Sequence, residues 1–276
     1  MTSAAILGAG ELGGALAHTL ARRNRFDEIF LIDPRGQLAA GQALDIQQSG
    51  PIEGFDTAVV GGVRLDGVSR AAVVILADAD ATKSSTAALD DARVLAPRAP
   101  VVVATAATAD ELDAIAAQSG LDACRLIGSA PEALAAAVRA LVALELDVSP
   151  ADVTLPLIGR PPEGTVLCWS AASCRGVSLA TVLGRARRIR METRLGTLWP
   201  PGPYALASAA ATVSEQVAFG SHRTAVVFSR RNVPGMPGGR MMAASARLGP
   251  AGVAGLALPE LTPAEGTALE SALAIS

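Results

Sequence analysis

The stretch that decides the fold is SAAILGAGELGGALAHTLARR, residues 3–23 of the 276-residue chain. Its first six residues form a short apolar run, which is typical of a parallel strand buried on both faces. Three glycines follow in a G-x-G-x-x-G pattern: Gly8, Gly10 and Gly13. Leucines then recur at every fourth residue, as on one face of a helix: Leu12, Leu16 and Leu20. The stretch therefore predicts a strand, a glycine turn and a helix.

Each part of this turn has a mechanical role in binding a dinucleotide. Gly8 permits the tight turn, Gly10 lets the backbone approach a pyrophosphate, and Gly13 lets the helix pack closely on the strand. The helix N-terminus, at Glu11 and Leu12, supplies N–H groups and the positive end of the helix dipole to the phosphates.

A second predicted strand, EIFLID, ends at Asp33, twenty residues after Gly13. A carboxylate at this point accepts hydrogen bonds from the ribose hydroxyls and repels a 2′-phosphate, so it favours NAD over NADP. Arg35 lies two residues further along and weakens that preference.

Composition restricts the class of protein. Half of the residues are hydrophobic and 18% are charged, which indicates a globular chain with one large or two moderate domains. The net charge of −3 provides no overall attraction to nucleic acid or to an anionic membrane. No apolar run is long enough to span a bilayer, and the N-terminus lacks the pattern of a signal peptide, so we expect a cytoplasmic protein. The cysteines are an odd, scattered set that we expect to be reduced thiols without a metal: Cys124, Cys168 and Cys174.

The sequence resembles the lactate/malate dehydrogenase family. The resemblance begins with residues 6–48, including the G-x-A-L-D stretch at 41–45, and runs in the expected order through nearly the whole chain. Its further segments are VVGG (59–62), LIGSAPEALAAAVRALVALELDVSP (126–150), CWSAASCRGVSL (168–179) and LGPAGVAGLALPELTPAEGTALESALA (248–274).

The resemblance implies an α/β fold, with a Rossmann-like doubly wound parallel sheet followed by an α+β substrate-type domain. We expect a dinucleotide-binding domain over residues 1–130 and a lactate/malate dehydrogenase-like C-terminal domain over 131–276. The stretch VPGMPGGR (233–240) is interpreted as a surface loop, and a tail helix is expected after Pro263. The family also implies a homo-oligomer, a dimer or a tetramer. The residues expected to contact NAD are Gly8, Gly10, Glu11, Leu12, Gly13, Asp33 and Ala77.

The family's catalytic set is missing from the positions where the resemblance implies it. A histidine base is expected in residues 158–164, which read IGRPPEG and hold none. Leu134 stands where an aspartate orients that base, and Ala137 stands where an arginine holds the substrate carboxylate. Arg139 matches a following family arginine, but it lies two helical positions on and points about 200° away. We therefore predict no catalytic residue of this type.

The loop that closes over the site in the family is also altered. Residues 78–91 lack its arginines, and Lys83 is the only cation there. Asp78 stands where the family tends to have glycine beside the cofactor, so its charge opposes a pyrophosphate, and the nicotinamide half of the site is in doubt. Ala106 replaces the asparagine that usually follows the next strand.

Other candidates have structural interpretations as well as functional ones. His18 and His222 are the only histidines, and we interpret both as structural. The arginine-rich segment 184–196 is either a solvated helix, which we favour, or a surface for an acidic partner or nucleic acid. The loop and helix charges that flank the expected cleft could bind an anion or move a proton, but we favour solvated charge: Arg160, Glu132 and Glu163.

Three hypotheses remain open at this point. The first is a catalytically degenerate family member that binds an NAD-type nucleotide and has a sensing or partner-binding role. The second is an active NAD-dependent oxidoreductase on an uncharged hydroxyl or carbonyl substrate, with water or Glu163 taking the proton. The third is a structural subunit without a ligand.

Overall fold

A computed structural model describes residues 1–64, 68–77, 97–233 and 236–274, and it describes only the backbone of residues 231–233 and 236–238. Strands and helices alternate through the first half of the described chain. They are β1 Ser3–Leu7, α1 Glu11–Arg23, β2 Glu28–Ile32, α2 Gly36–Glu53, β3 Ala58–Gly62, β4 Val73–Leu76, β5 Val101–Val103, α3 Ala109–Ser119 and β6 Leu126–Gly128. The strand and helix expected over residues 3–23 are confirmed.

Antiparallel strands dominate the second half, between longer helices. Its elements are α4 Ala130–Leu146, β7 Val153–Thr154, β8 Leu157–Arg160, β9 Gly164–Leu167, β10 Ser173–Cys174, β11 Val177–Ser178, α5 Leu179–Val182, α6 Arg185–Arg194, α7 Pro203–Phe219, β12 Thr224–Val233, β13 Met236–Gly249, β14 Gly252–Leu256 and α8 Pro263–Ala274. The expected tail helix is confirmed as α8.

The main sheet has a parallel part in the order β3-β2-β1-β4-β5-β6. Chain order runs outward in opposite directions from β1, to β2 on one side and to β4 on the other. In open α/β sheets, ligands bind in the crevice beyond the carboxyl ends of the strands at such a reversal. We therefore expect a ligand site at the carboxyl ends of β1 and β4.

Helices cover both faces of this parallel sheet, as in a doubly wound fold. Along β1, Ala4 and Ile6 belong to one buried cluster, whereas Ala5 and Leu7 belong to another on the opposite face. A strand buried on both faces reads as a continuous apolar run, which explains the sequence of residues 3–7. The predicted fold class, a Rossmann-like doubly wound sheet followed by an α+β part, is confirmed.

The antiparallel strands extend the same sheet. β12 pairs with β6 through Phe228 and Gly128, and the sheet continues through β13, β8 and β9. β7, β10 and β11 form a second, small sheet. Because one sheet runs through residues on both sides of position 130, the division into domains at that point stays a prediction.

The prediction of a surface loop at residues 233–240 is wrong. β12 extends to Val233, β13 starts at Met236, and these two residues pair across an antiparallel hairpin. Pairing between the backbones of two long strands outweighs the turn preference of the prolines and glycines. Among the residues that the structure describes, none of the helices has both the length and the apolar character that a bilayer crossing requires.

Candidate functional site

The glycine turn joins the carboxyl end of β1 to the first turn of α1. Gly8 has a φ of 105°, which favours glycine, and its N–H donates to the Ile32 carbonyl at 2.8 Å. A Cβ on Gly13 would lie 1.9 Å from the Gly8 carbonyl oxygen, so the close packing here requires a residue without a side chain. Two of the three glycines therefore shape the turn itself.

Gly10 differs from these two glycines because it faces open space. A Cβ built on Gly10 meets no atom within 4 Å. Gly10 is also the residue that caps α1, and no side chain of the described residues bonds the N–H groups of the first helical turn. Such N–H groups and the helix dipole attract anions, so the geometry fits a pyrophosphate held by the backbone of Gly10, Glu11 and Leu12.

A cavity of ≈ 370 Å³ lies at the carboxyl ends of β1, β4 and β5. It brings together four of the residues expected to contact the cofactor: Gly10, Glu11, Leu12 and Ala77. The rest of its lining comes from the chain after β5 and from the start of α7: Thr105, Ala106, Ala107, Glu111, Pro201, Pro203 and Leu206. Its described lining thus has two carboxylates and no cation.

One of these carboxylates, Glu111, also caps the start of α3. Oε2 of Glu111 accepts from the Thr108 N–H at 2.7 Å, while the Thr108 hydroxyl accepts from the Glu111 N–H at 3.4 Å. This reciprocal pair is a capping box, which satisfies two backbone N–H groups at the start of α3. Glu111 therefore has a structural role beside the cavity.

Asp33 follows β2 at the predicted position, but its side chain is only 1% exposed. Oδ2 accepts from the Ala9 N–H at 2.8 Å and from Arg35 Nη2 at 3.2 Å. Oδ1 accepts from the Arg35 N–H at 2.8 Å and from Arg35 Nε at 3.0 Å. Hydrogen bonding from the Arg35 side chain outweighs burial and, with the backbone bonds, lowers the pKa of Asp33 to about 2.

The segment where the resemblance implies a histidine base lies in an antiparallel hairpin of β8 and β9. Arg160, at the end of β8, has a side chain that is 5% exposed. Its Nη1 donates to Oδ2 of Asp113 at 3.0 Å and to the Met241 carbonyl at 2.6 Å, and its Nη2 bonds Asp110. Both sequence interpretations of Arg160, an anion-binding residue in the cleft and a solvated charge, are therefore wrong. Arg240 Nη2 also donates to Asp110 Oδ1, at 3.4 Å. We call Arg160, Asp110, Asp113, Met241 and Arg240 the Arg160 cluster.

The other carboxylates proposed as acids or bases lie away from the cavity lining. Glu132, on α4, accepts from Arg139 Nη2 at 3.1 Å and from the Val226 N–H at 2.7 Å. Glu163, in the hairpin, is exposed and lines two other pockets. Glu132 thus joins α4 to β12 and pairs with Arg139, and neither residue belongs to the described cavity lining.

Leu134 stands where the family resemblance implies an aspartate, and its side chain is buried in the main core. His18 lies on α1 with Nε2 at 3.1 Å from Glu53 Oε1, and His222 is exposed beside β12. Neither histidine lines the cavity. The described residues contain no group of three or more His, Cys, Asp or Glu side chains placed to hold a metal.

The arginine-rich segment forms α6, whose described side chains are mostly exposed. Arg187 Nε lies 3.2 Å from Oε1 of Glu145, and Arg190 Nη2 lies 3.9 Å from the same oxygen. The solvated-helix interpretation fits this arrangement. Asp78 and Lys83 lie outside the described residues, so the predictions made for them stay predictions.

The sequence signals for Arg160 and for the Asp33–Arg35 pair were weak. Both depend on where a side chain turns in three dimensions, and the partners of Arg160 lie 47 and 50 residues away in sequence. The one local indication was the two-residue spacing of Asp33 and Arg35 at the end of a strand.

Comparisons with known proteins agree with the fold. No family model matches the chain. A malate dehydrogenase of Thermomicrobium roseum is 30% identical over an alignment of 292 positions, which covers 96% of this chain and 92% of that protein. L-lactate dehydrogenase B of Hordeum vulgare is 27% identical, with 98% of this chain and 87% of the relative covered.

Solved structures share the same architecture. Malate dehydrogenase from Salinibacter ruber matches with a TM-score of 0.86 at 22% identity, covering 99% of this chain and 94% of that one. Lactate dehydrogenase from Cryptosporidium parvum, complexed with lactic acid and NAD, matches with a TM-score of 0.90 at 21% identity, over 99% and 94% of the two chains. The chain therefore belongs to the lactate/malate dehydrogenase family.

Proposed function

We propose that the protein binds an NAD-type dinucleotide without oxidising a 2-hydroxy acid, and that it serves as a nucleotide-sensing or partner-binding member of its family. The observation that carries this proposal is the contrast between the uncapped α1 N-terminus facing open space at Gly10 and the carboxylates beyond it, Glu11 and Glu111. The first feature favours a pyrophosphate, and the second disfavours an anionic substrate.

Oxidation of a 2-hydroxy acid has two requirements that the described cavity lining does not meet. By the mechanism that the family resemblance implies, a histidine must accept the hydroxyl proton, and an arginine must hold the carboxylate. The described lining provides neither a histidine nor an arginine, and Arg160 is engaged by Asp110, Asp113 and the Met241 carbonyl. A carboxylate substrate would instead meet Glu11 and Glu111.

The nucleotide contacts follow from the geometry of the turn. Gly10, Glu11 and Leu12 would hold the pyrophosphate through backbone N–H groups, and Ala77 would contact the dinucleotide where β4 ends beside Leu7. When bound, NAD supplies hydride chemistry at its nicotinamide ring. The lining beyond the turn, which includes Thr105 and Pro201, leaves the nicotinamide half without a positively charged anchor among the described residues.

A second candidate is an oxidoreductase on an uncharged alcohol or carbonyl compound. The specific observation in its favour is that Glu11, Glu111 and Thr105 surround a largely apolar cavity, where a carboxylate could accept a proton. Glu163, which the sequence suggested for this role, does not line that cavity. Hydride transfer with any member of a panel of neutral alcohols would favour this candidate.

Calorimetric titration of the full chain with NAD, NADH and ADP-ribose tests the nucleotide proposal. We expect micromolar binding of at least one dinucleotide. Binding of ADP-ribose alone would restrict the site to its adenosine and phosphate half. Absence of binding by all three would contradict the proposal and favour a structural subunit. We further propose a homo-oligomer, a dimer or a tetramer, which light scattering on the same sample would test.

A further inference from the structure

Helix α6 concentrates positive charge on the surface of the protein. Residues 184–196 contain five arginines and one glutamate, so the segment has a net charge of +4 in a chain whose total is −3. Arg187, Arg190 and Arg194 recur at spacings of three and four residues, which places them on one side of the helix. All three are exposed, Arg187 by 49% and Arg190 by 67% of the side chain. A stripe of guanidinium groups thus runs along α6 in contact with solvent.

This placement of charge does not stabilise the helix itself. Arg185 and Arg187 lie in the first turn of α6, where the positive end of the helix dipole disfavours a cation, and that turn has no acidic residue. Arg190 is also a helical neighbour of Arg187 on one side and of Arg194 on the other, so like charges repel along the stripe. Exposure alone fits a solvated helix, whereas this placement of charge favours a surface that binds an anion.

Carboxylates of the described chain neutralise only part of the stripe. Glu145 on α4 lies 3.2 Å from Arg187 Nε and 3.9 Å from Arg190 Nη2. Within the part of the chain that the structure describes, the side chains of Arg185 and Arg194 form no ion pair. Guanidinium groups bind carboxylates in a planar, two-point geometry. The stripe is therefore complementary to further carboxylates supplied from outside the chain.

Apolar side chains adjoin the stripe. Leu144, which precedes Glu145 on α4, is 80% exposed, and Ile189, which precedes Arg190, is 48% exposed. Apolar side chains at the centre of a charged surface are typical of an interface that excludes water around its ion pairs. A partner for this surface thus combines carboxylates with apolar side chains.

Two other kinds of anionic partner fit less well. Met191 points into the fold and is buried, so α6 offers a bilayer no broad apolar face to insert. Residues 184–196 contain no aromatic side chain on which the bases of a single-stranded nucleic acid would stack. The chemistry of the surface therefore favours a protein segment.

We infer that Arg187, Arg190 and Arg194, with Leu144 and Ile189, form a docking surface for an acidic segment of a partner protein, in which acidic residues alternate with apolar ones. We call these five residues the α6 surface. The stripe extends about 10 Å along the helix axis, and alternate residues of an extended segment are about 6.6 Å apart, so two or three carboxylates can reach it. The inference rests on the partner-binding role proposed above and not on nucleotide binding.

Fluorescence anisotropy of the full chain with a short labelled peptide, in which glutamate alternates with alanine and leucine, tests the inference. At low ionic strength we expect a Kd of about 10–100 µM, which rises with salt. Glutamine in place of every glutamate of the peptide should weaken binding by about tenfold or more. The triple variant Arg187→Ala, Arg190→Ala, Arg194→Ala should weaken binding of the acidic peptide by about tenfold or more, because it removes the stripe.

The matched control is the triple variant Arg22→Ala, Arg64→Ala, Arg70→Ala. These arginines are exposed and lie outside α6, so the control lowers the net charge by the same amount and leaves the stripe intact. Its affinity for the peptide should stay within about twofold of the parent protein. Leu144→Ser should weaken binding by about threefold, because a leucine of the peptide loses an apolar contact.

The outcomes separate docking from nucleotide binding. Failure of the acidic peptide to bind at low ionic strength, or an equal loss in the two triple variants, would overturn the inference. Tighter binding of phosphatidylserine vesicles, or of single-stranded DNA matched to the peptide in charge, would also overturn it. Calorimetry with NADH on the same samples should give one affinity for the parent and both variants, whereas absence of nucleotide binding would contradict the nucleotide proposal and leave the docking surface intact. Circular dichroism verifies that each variant is folded.

Discussion

The glycine turn after β1 and the β8–β9 hairpin contribute to the same molecule in different ways. At the turn, the groups available to the proposed nucleotide are backbone N–H groups around Gly10. At the hairpin, the polar groups are side chains, and Arg160 forms ion pairs with Asp110 and Asp113. The difference teaches that polar groups of the backbone remain open towards the cavity at the turn, whereas the charge of Arg160 is used within the fold.

The largest expected effect comes from Gly13→Ala. Its Cβ would lie 1.9 Å from the Gly8 carbonyl oxygen, so β1 and α1 must move apart. We expect a loss of about 3 kcal/mol or more in the free energy of unfolding, measured by urea denaturation, together with loss of nucleotide binding.

Gly10→Ala is the matched variant within the same turn. Because a Cβ there meets no atom within 4 Å, stability should change by less than about 1 kcal/mol, while nucleotide affinity should fall by about tenfold or more. Equal effects of the two variants on stability would contradict the separate roles assigned to these glycines.

Arg160→Met should show the opposite pattern at the hairpin. It removes one donor from Asp113, which keeps the bond from the Met241 N–H, and the side-chain donor from the Met241 carbonyl, so we expect a loss of about 1–3 kcal/mol in the free energy of unfolding. Nucleotide affinity should stay within about twofold, because the cluster lies outside the cavity lining. Calorimetry and urea denaturation measure the two effects.

Arg187→Ala is the control for that change. Arg187 is exposed and pairs with Glu145, so its loss should cost less than about 1 kcal/mol. If Arg160→Met left stability unchanged and abolished nucleotide binding, Arg160 would be a ligand-binding residue, and the contrast between hairpin and turn would fail.

Acid should weaken the turn through Asp33. Its folded pKa of about 2 lies below the ordinary aspartate value of 3.8, so its ionisation stabilises the folded state above about pH 4, and this contribution is lost as the pH falls towards 2. Asp33→Asn should cost about 1–2 kcal/mol at neutral pH and flatten that part of the stability profile.

Glu265 provides the corresponding test outside the turn. Burial raises its pKa, but hydrogen bonds from Ser170 and Thr262 outweigh burial and hold it at about 2. Glu265→Gln should also flatten the acid profile while leaving nucleotide affinity unchanged. An unaltered profile in both variants would show that other groups control acid unfolding.

The smallest expected effect concerns the thiols, all three of which are free. Cys124 is exposed, whereas burial and the nearby Glu265 charge raise the pKa of Cys168 to about 12. We expect iodoacetamide to modify Cys124 first in the folded protein, with no loss of nucleotide binding. Mass spectrometry of the alkylated peptides would detect the opposite order, with Cys168 modified first.

Features set by local pattern were predicted from the sequence. The bounds of α1, the tight turn at Gly8 and the close packing at Gly13 follow from residues a few positions apart. The doubly wound fold followed from strand and helix periodicity together with a family resemblance that covers nearly the whole chain. Such features depend on backbone geometry, which a short stretch of sequence encodes.

Features set by the direction of a side chain were not predicted. Arg160 looked like a solvated loop charge because Asp110 and Asp113, which bury it, lie on a helix far away in sequence. The length of β12 and β13 was hidden by the prolines and glycines of residues 233–240, whose turn preference is overridden by long-range strand pairing. Asp33 was placed correctly after β2, but its pairing with Arg35 depends on the direction of the arginine side chain.

The central claim is that the protein retains a nucleotide site and does not reduce 2-oxo acids. The most direct test mixes the full chain, saturated with NADPH or NADH, with oxaloacetate and with pyruvate, and follows the nicotinamide absorbance. We predict binding with no oxidation of either nucleotide above the rate without protein. Oxidation that depends on both the protein and the 2-oxo acid would contradict the claim and show that the family's reaction survives here.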